Sequence, residues 1–497
     1  MAALLLAPTR RSLGTRRFVG LVVAAMLVAR LPFMFQPLQA DEAGYLLVAR
    51  SWHLGGVDLY GPYWVDRPPL LIALFKLASL VSWDPMVRVL LVPFVVLFVV
   101  SAAWAAHQLA GARAARWSAV VAAAFMATPL LATQEADGEL FAAPLVMLAM
   151  ALTIAAVRRA GRPSYWLAFF AGVCAGLAVM VKQNFGDAVV FAITLLLASM
   201  AQRRVPPRHG LRLLGVLLGG GALVAAAAIG YALWSGVGTG EMWFDLYGFR
   251  TQAFDVIVDG SMRSALLRAA GLVLLGLVCG AIPAVVLLAR HVWRSRLSGP
   301  PVAWALAVTM ALEVLAIVAG GNYWPHYLLQ LAPTLTLAIG LWVPKVRWLA
   351  ATAVLAVASA VVSTVVFVGA GLGATPEGQR LGTWVHRASR PHDTLTVLYG
   401  NEQVLLSSRL RSPYPYLWTL PMRTLDPHLS LLRATLTGPA APTWVMVWDN
   451  VNDWNIDASD QTRLDLATHY HLVQRMCGHQ MWLRNGVHRP LPSAPQC

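Results

Sequence analysis

The sequence has few charged residues for its size, and this scarcity indicates its class. Asp, Glu, Lys and Arg make up 12% of the 497 residues, whereas 58% are hydrophobic. Soluble domains carry about twice that charged fraction. The composition argues against a water-soluble globular protein, a secreted disulfide scaffold and a disordered chain alike. It predicts a polytopic membrane protein.

Acidic residues are missing from the short stretches that hold most of the basic residues. These basic stretches lie between apolar runs, at residues 10–17, 113–116, 158–162, 203–212, 290–296 and 345–347. Apart from Glu313, which falls inside a predicted span, the acids lie in the alternate stretches, at 41–84, 135–139, 187, 241–259 and from 377 onwards. Because Lys and Arg in short loops mark the cytoplasmic side, the net charge of +15 is a topology signal and predicts no nucleic-acid partner. We expect a multi-pass protein of the bacterial inner (plasma) membrane with a cytoplasmic N-terminus.

Apolar stretches long enough to cross a bilayer recur along the first 371 residues. They lie at residues 18–38, 86–110, 117–133, 140–157, 164–181, 188–202, 212–235, 264–289, 301–320, 327–343 and 348–371. The stretch at 68–81 is too short, and both its ends face outside if the basic loops stay inside. We therefore expect about eleven spans and a long first outer loop, residues 39–85, that carries two helices along the membrane surface.

Hydrophobicity falls after residue 371, where short β-like runs at 394–399, 443–448 and 471–475 alternate with helix-like or turn-rich stretches. We expect a mainly α fold, with a transmembrane domain at 1–371 and an extracytoplasmic α/β domain at 372–497. Only four cysteines occur, and CxxC and HExxH spacings are absent, so a structural zinc site has little support. Cys477 and Cys497 fall in the outer domain, where a bridge and a free C-terminal cysteine are both open.

The first polar cluster, Asp41 and Glu42, directly follows the first apolar stretch. Two adjacent carboxylates there cost desolvation energy unless they are paired or solvated. From spacing alone, an acidic cap on the next helix and a catalytic role are equally open. Tyr45 and His53 follow in the same loop.

The second cluster is Asp66 and Arg67, followed by two prolines that begin the next apolar stretch. Proline fits the first turn of a helix, where its missing N–H is not needed. A guanidinium beside helix N–H groups also makes an anion site, which a lipid-linked phosphate would suit. Three more outer clusters hold Glu135 and Asp137, Lys182, and Tyr323, His326 and Tyr327. A lysine that reaches the interface and an aromatic belt are the alternatives for the last two.

The order of these motifs resembles the GT-C glycosyltransferases, in particular their bacterial family-39-like and aminoarabinose-transferase-like members. Such proteins place an acidic pair after the first helix, as at Asp41 and Glu42. They place an acidic-basic-Pro-Pro motif at the next juxtamembrane helix, as at Asp66 and Arg67. The resemblance covers the whole chain in topology and says little about the sugar. Arg67 departs from the more common Lys, which keeps the charge and changes the geometry of a phosphate contact.

The resemblance implies transfer of a hexosyl or pentosyl group, with inversion, from a polyprenyl-phosphate donor to a glycan, lipid or protein acceptor of the cell envelope. Mannose and arabinose are plausible sugars. It implies contact with membrane lipids, no organic cofactor, and a divalent cation held by Asp66 with His53 or His326. The resemblance also implies roles for the polar residues: Asp41 is the base, and Glu42 shapes the loop or orients groups beside it. Asp137 or Glu135 orients the acceptor or assists the base. Arg67 and Lys182 bind the phosphate, and the substrate is bound by Tyr45, His53, Tyr323, His326 and Tyr327.

A transporter or flippase for lipid-linked sugars is the alternative function. It would recognise the same phosphate and share the topology, but it would need polar residues through the bilayer midplane. The acids of this sequence gather towards one face instead. That distribution favours an enzyme site open to one side of the membrane.

Overall fold

The computed structural model describes residues 10–55, 58–159, 161–295, 299–343, 346–372 and 376–497, and the fold is mainly helical as the sequence predicts. The helices before residue 372 are α1 (Arg10–Met34), α2 (Ala40–Ser51), α3 (Pro69–Ala78), α4 (Met86–Ala127), α5 (Gly138–Arg158), α6 (Arg162–Val181), α7 (Asp187–Ala201), α8 (Pro207–Ser235), α9 (Thr239–Trp243), α10 (Phe249–Val278), α11 (Ala281–Ser295), α12 (Pro301–Ala319), α13 (Ala332–Trp342) and α14 (Arg347–Gly369). Arg296 and Lys345, which belong to the basic stretches of the topology prediction, lie outside the described residues.

The predicted apolar stretches fall largely on helices. By length and composition, seven helices in the described ranges can cross a membrane, or eight if the bent pair Thr239–Val258 and Met262–Val278 forms one span. Helix α4 covers two predicted stretches and is interrupted at Gly111. The φ angle there is 78°, which a glycine adopts without strain. Helices α7 and α13 have 15 and 11 residues, fewer than a straight crossing needs. The chain is a polytopic membrane protein.

The first loop carries two helices, as predicted. Helix α3 begins directly after Pro68, where the missing N–H of the following Pro69 leaves no bond unmade. Its buried side chains, Leu71, Ile72, Phe75 and Ala78, follow helical spacing and form one inward face. Tyr45 of α2 packs edge-on against Phe75 with ring centres 5.4 Å apart. The two helices therefore pack together beside the membrane-spanning helices.

After residue 375 the chain forms a four-stranded sheet with helices. The elements are α15 (Pro376–Ala388), β1 (Leu395–Leu398), α16 (Glu402–Ser408), α17 (Thr419–Leu425), α18 (Ser430–Thr437), β2 (Trp444–Val447), α19 (Gln461–His469), β3 (Tyr470–Met476) and β4 (His479–Arg484). The strand order is β1-β2-β4-β3, with β1 and β2 parallel and the other pairs antiparallel. Strand β4 was not predicted; it returns from β3 through a tight turn at Cys477 and Gly478, both with positive φ. Cys477 is bonded to Cys497, with Cα atoms 5.4 Å apart.

This C-terminal region contacts the first loop directly. The backbone N–H of Trp64 donates to the carbonyl of Pro415 at 3.2 Å, and that of Ser412 donates to the Tyr63 hydroxyl at 2.9 Å. The predicted boundary between residues 371 and 372 adjoins residues 373–375, which lie outside the described part of the chain. The division into domains at 1–371 and 372–497 stays a prediction.

Candidate active site

The first loop places an aspartate and an arginine at the start of α3. Asp66 and Arg67 directly precede Pro68. The Tyr60 hydroxyl donates to the carbonyl of Arg67 at 2.5 Å, which fixes the backbone there. Arg67 Nε donates to the Tyr45 hydroxyl at 2.9 Å. The guanidinium of Arg67 thus links α2 to the start of α3.

Asp66 lies between two guanidinium groups. Its Oδ1 accepts from an Nη of Arg67 at 2.6 Å, and its Oδ2 pairs with Arg250 of α10. Burial raises the pKa of Asp66, but the two arginines outweigh burial and hold that pKa below its usual value. Asp66 therefore stays charged and brings both cations to one side of the site.

Three segments of the chain meet at Glu139, in the first turn of α5. Lys182, which directly follows α6, forms an ion pair with Glu139 Oε1. His326 Nε2 lies 3.6 Å from the same oxygen, and His326 Nδ1 lies 3.1 Å from Asp137 Oδ2. Burial lowers the pKa of His326, but the carboxylates of Glu139 and Asp137 outweigh burial and raise that pKa. The charged form of the imidazole is therefore favoured.

Asp41 lies in the first turn of α2, where its Oδ1 accepts a hydrogen bond from Trp418 Nε1 at 2.8 Å. Burial and the carboxylate of Asp137 raise the pKa of Asp41, while Arg67 and His326 oppose that rise. The Asp41 carboxylate is therefore close to both acidic and cationic groups of the cluster.

Glu135 lies in the loop before α5, where its Oε1 accepts from the side chain of Gln134 at 3.2 Å. Burial and the carboxylate of Asp137 raise the pKa of Glu135 well above its usual value. The Asp137 carboxylate therefore acts on both Asp41 and Glu135.

A cavity of about 280 Å³ opens beside the cations. Its polar lining includes Glu139, Lys182 and Arg250, and its apolar lining includes Phe254 and Ile317. The ammonium of Lys182 also lies 5.0 Å from the centre of the Tyr327 ring, another part of the lining. Cations next to apolar walls fit an anionic headgroup that is joined to a hydrocarbon chain.

Glu42 has a different environment from Asp41, although the two are adjacent. Its fully buried carboxylate accepts from Arg88 Nε at 2.8 Å and from an Nη of Arg88 at 2.5 Å. The backbone N–H groups of Gln39 and Ala136 each donate to it at 2.8 Å. These bonds join the start of α2 to α4 and to the loop before α5. Of the two roles expected for Glu42, they favour shaping the loop.

The structure does not bring every candidate residue into this cluster. His53 is exposed, and its Nδ1 lies 2.8 Å from the carbonyl of Ser51. The Tyr323 hydroxyl donates to the carbonyl of Val318 at the end of α12, at 3.1 Å. The described contacts of these two residues therefore give no support to substrate binding.

No protein-family model matches the sequence, and no curated protein matches it. Solved structures, however, match over nearly the whole chain. The apo structure of ArnT from Cupriavidus metallidurans matches with a TM-score of 0.62 at 15% identity and covers 94% of this chain and 98% of that chain. The chain has the GT-C fold. The structure of the same ArnT bound to undecaprenyl phosphate gives a TM-score of 0.59 at 14% identity, over 93% of this chain and 97% of that chain.

A second protein with the GT-C fold also matches. It is the archaeal oligosaccharyltransferase AglB from Archaeoglobus fulgidus, in complex with an inhibitory peptide and a dolichol-phosphate. The TM-score is 0.56 at 12% identity, over 94% of this chain and 74% of that chain. At such identities the likeness establishes the fold, and function has to be argued from the residues of the site.

The metal site expected at Asp66 does not fit the arrangement of side chains. A structure of the Archaeoglobus fulgidus oligosaccharyltransferase is a complex with zinc and sulfate. Within the described residues of this chain, no three His, Cys, Asp or Glu side chains are grouped to hold a metal ion. Both oxygens of Asp66 pair with arginines, and His326 faces Asp137 and Glu139 instead. We therefore derive no step through a metal ion.

Sequence reasoning missed three contributors to this cluster. Arg250 is the only basic residue in the acidic stretch 241–259, and this contrast was an available signal. Glu139 lies in the acidic stretch 135–139, but its pairing with Lys182 depends on how α5 and α6 pack. Trp418 gave no local signal, because its partner Asp41 lies 377 residues earlier.

Proposed function

We propose that this chain transfers a sugar from a polyprenyl-phosphate donor to an acceptor hydroxyl. The main support for the proposal is that one site has a cationic side and a side that holds a carboxylate. Arg67, Arg250 and Lys182 supply positive charge beside a cavity with apolar walls. Asp41 supplies a carboxylate close enough to Arg67 for the positive charge of Arg67 to act on its pKa. The ligands of the structural neighbours, undecaprenyl phosphate and dolichol-phosphate, are of the class that such a cavity would hold.

The cations would bind the donor phosphate and stabilise the charge that it gains when the sugar leaves. Asp66 fixes Arg67 and Arg250 by pairing with both, and Glu139 fixes Lys182. Each cation keeps further N–H donors for a phosphate, since a guanidinium has five and an ammonium has three. The cavity walls, which include Phe254 and Ile317, would surround the first isoprene units.

Asp41 would act as the base. The acceptor O–H gives its proton to the Asp41 carboxylate while the acceptor oxygen bonds to the anomeric carbon of the sugar. The bond between that carbon and the phosphate oxygen breaks, and the electron pair leaves with polyprenyl phosphate. Attack from the face opposite the phosphate inverts the configuration. Asp137 and Glu135 would orient the acceptor or assist the base, because both lie within the electrostatic reach of Asp41.

The proposal is tested by transfer assays on the purified full chain. Polyprenyl phosphates that carry mannose, arabinofuranose, glucose or galactose are supplied with cell-envelope acceptors. We expect one hexosyl or pentosyl donor to be consumed. Asp41→Asn should lower its turnover by about 10²–10⁴-fold, the usual contribution of a general base, and should leave donor affinity near the parent value.

Asp84→Asn is the matched control, because Asp84 lies in the same loop and pairs with Arg50 at the surface. Its turnover should equal that of the parent. Near-normal turnover of Asp41→Asn would rule out Asp41 as the base. Donor binding without turnover for any sugar or acceptor would instead favour a transporter of lipid-linked sugars.

A further inference from the structure

Trp418 belongs to the C-terminal region and yet contacts the proposed base in the first loop. We propose that Trp418 is a positioning residue that holds Asp41 in the orientation in which it accepts the proton of the acceptor hydroxyl. This inference rests on the proposed function, and it makes the C-terminal region a part of the active site.

The hydrogen bond with Trp418 engages one of the two oxygens of the Asp41 carboxylate. Nε1 of the indole donates to Oδ1 at 2.8 Å. Within the described residues, Oδ2 makes no hydrogen bond or ion pair, so it is left for the acceptor. An indole N–H can only donate, so it always supports the charged carboxylate and never competes for the proton.

The surface of α2 fixes where the indole lies. A Cβ atom added at Gly44 would lie 2.2 Å from Cζ2 of Trp418, so the ring rests on the helix backbone where a side chain is missing. On the next residue, the Tyr45 ring lies with its centre 5.5 Å from the indole at an angle of 38°. Arg67 reaches the other end of Tyr45 through the phenol oxygen. One chain of contacts therefore joins the base to a phosphate-binding cation.

The segment before Trp418 is anchored on the first loop, which holds the indole in place. Ser412 and Pro415 are bonded to Tyr63 and Trp64, as described above. The indole of Trp64 then donates to Asp245 at 2.8 Å. Two hydrogen bonds within the seven residues that precede Trp418 leave its backbone little freedom. The contact with Asp41 is therefore set by the surrounding structure and not by a free loop.

Electrostatics gives the contact a measurable signature. Burial and Asp137 raise the pKa of Asp41, and the indole bond is one of the few influences that lower it. Acids facing Asp41 include Glu402 of α16, and the cations facing it are Arg67 and His326. Loss of the indole N–H should therefore raise the pKa of Asp41 further. Because the base must be deprotonated to act, the acid limb of the turnover profile should move to higher pH.

Trp418→Phe and Gly44→Ala test the proposal from opposite sides of the contact. The first keeps an aromatic ring and removes the N–H; the second keeps the indole and pushes it off α2. For both we expect the acid limb to move upwards by about one pH unit and turnover at low pH to fall about tenfold, with donor KM nearly unchanged. Trp454→Phe is the control, since it makes the same exchange in the same region, against Arg423 and Tyr399.

The titration of Asp41 is followed independently by the infrared carboxyl band that is lost in Asp41→Asn. An upward shift of this titration in both variants, and none in Trp454→Phe, supports the contact even if no donor is turned over. If both variants show the shift but the parent chain transfers no sugar, the proposed function alone is defeated. Parent-like titration and pH profile in folded Trp418→Phe would overturn the positioning role.

Discussion

Arg250 combines accessibility with a fixed charge. About a third of its side chain, 32%, is exposed, and it lines the cavity while pairing with Asp66. Arg67, in contrast, has 14% of its side chain exposed and is engaged by both Asp66 and Tyr45. A phosphate that enters the cavity would therefore meet Arg250 with donors to spare.

Arg250→Met should weaken the binding of polyprenyl phosphate about tenfold or more, because a charge-assisted hydrogen bond is lost. The dissociation constant is measured by calorimetry in detergent. Arg263→Met removes an exposed arginine from the same helix and should leave affinity unchanged. An unchanged constant for Arg250→Met would remove Arg250 from the phosphate site.

Asp41 and Glu42 show what the sequence can and cannot predict at this scale. Adjacent acids after a membrane helix predicted either a catalytic pair or an acidic helix cap, and the structure gives the two residues different partners. Glu42 accepts from the N–H of Gln39 as a helix cap does, and Arg88 neutralises it from 46 positions later. Asp41 faces Trp418 instead. The sequence does not reveal this division, because each partner is brought in by tertiary packing.

At the scale of elements, helices α6 and α8 pack closely against each other at positions occupied by glycine. A Cβ added at Gly220 would lie 2.2 Å from the carbonyl oxygen of Phe169, and one at Gly172 would lie 1.8 Å from that of Leu217. A Cβ added at the preceding glycine of α8, Gly219, would have no atom within 4 Å. Small residues let membrane helices come close enough for backbone contact.

Gly220→Ala should therefore destabilise the protein by about 1–3 kcal/mol, the usual cost of overpacking, and lower its thermal unfolding temperature. Gly219→Ala should leave stability unchanged or raise it by a few tenths of a kcal/mol up to about 1 kcal/mol, since alanine favours helix more than glycine does. Thermal melts of both variants in one detergent make the comparison. Equal melting temperatures for the two variants would contradict the close packing of α6 on α8.

The same elements mark the limit of sequence prediction for the fold. Apolar length predicted where helices lie and that two more helices lie in the first loop. It did not reveal which glycine of the run Gly219, Gly220 and Gly221 faces α6, because the three differ only in their angle around α8. Nor did it reveal the break in α4, where Gly111 adopts a left-handed conformation.

At the scale of the whole molecule, the Cys477–Cys497 bond bears on orientation. Disulfides persist in oxidising compartments, so the bond favours an extracytoplasmic C-terminal region, opposite the predicted basic loops. The tail before Cys497 is held further by Arg489, whose guanidinium donates to both oxygens of Asp393 at 2.8 and 2.6 Å. We propose this orientation in a bacterial inner membrane.

Cys477→Ser should release Cys497 for labelling by a maleimide that does not cross membranes, applied to cells with an intact inner membrane. The parent should label at the C-terminal region only after reduction, because both thiols are then bonded. The double variant with Cys497→Ser controls for Cys174 and Cys279, which lie among the helices. Labelling that appears only after the inner membrane is permeabilised would place the C-terminal region in the cytoplasm.

The contact between Asp41 and Trp418 also has a consequence in time. The two residues are 377 positions apart in the chain. At about 5–20 residues per second, the ribosome adds the indole roughly 20–75 s after the carboxylate. Arg67, Lys182 and Arg250 are all made within that interval. A nascent chain could thus hold a lipid phosphate while the proposed base still lacks its partner, and Asp41 would be positioned only after the chain has been made as far as Trp418.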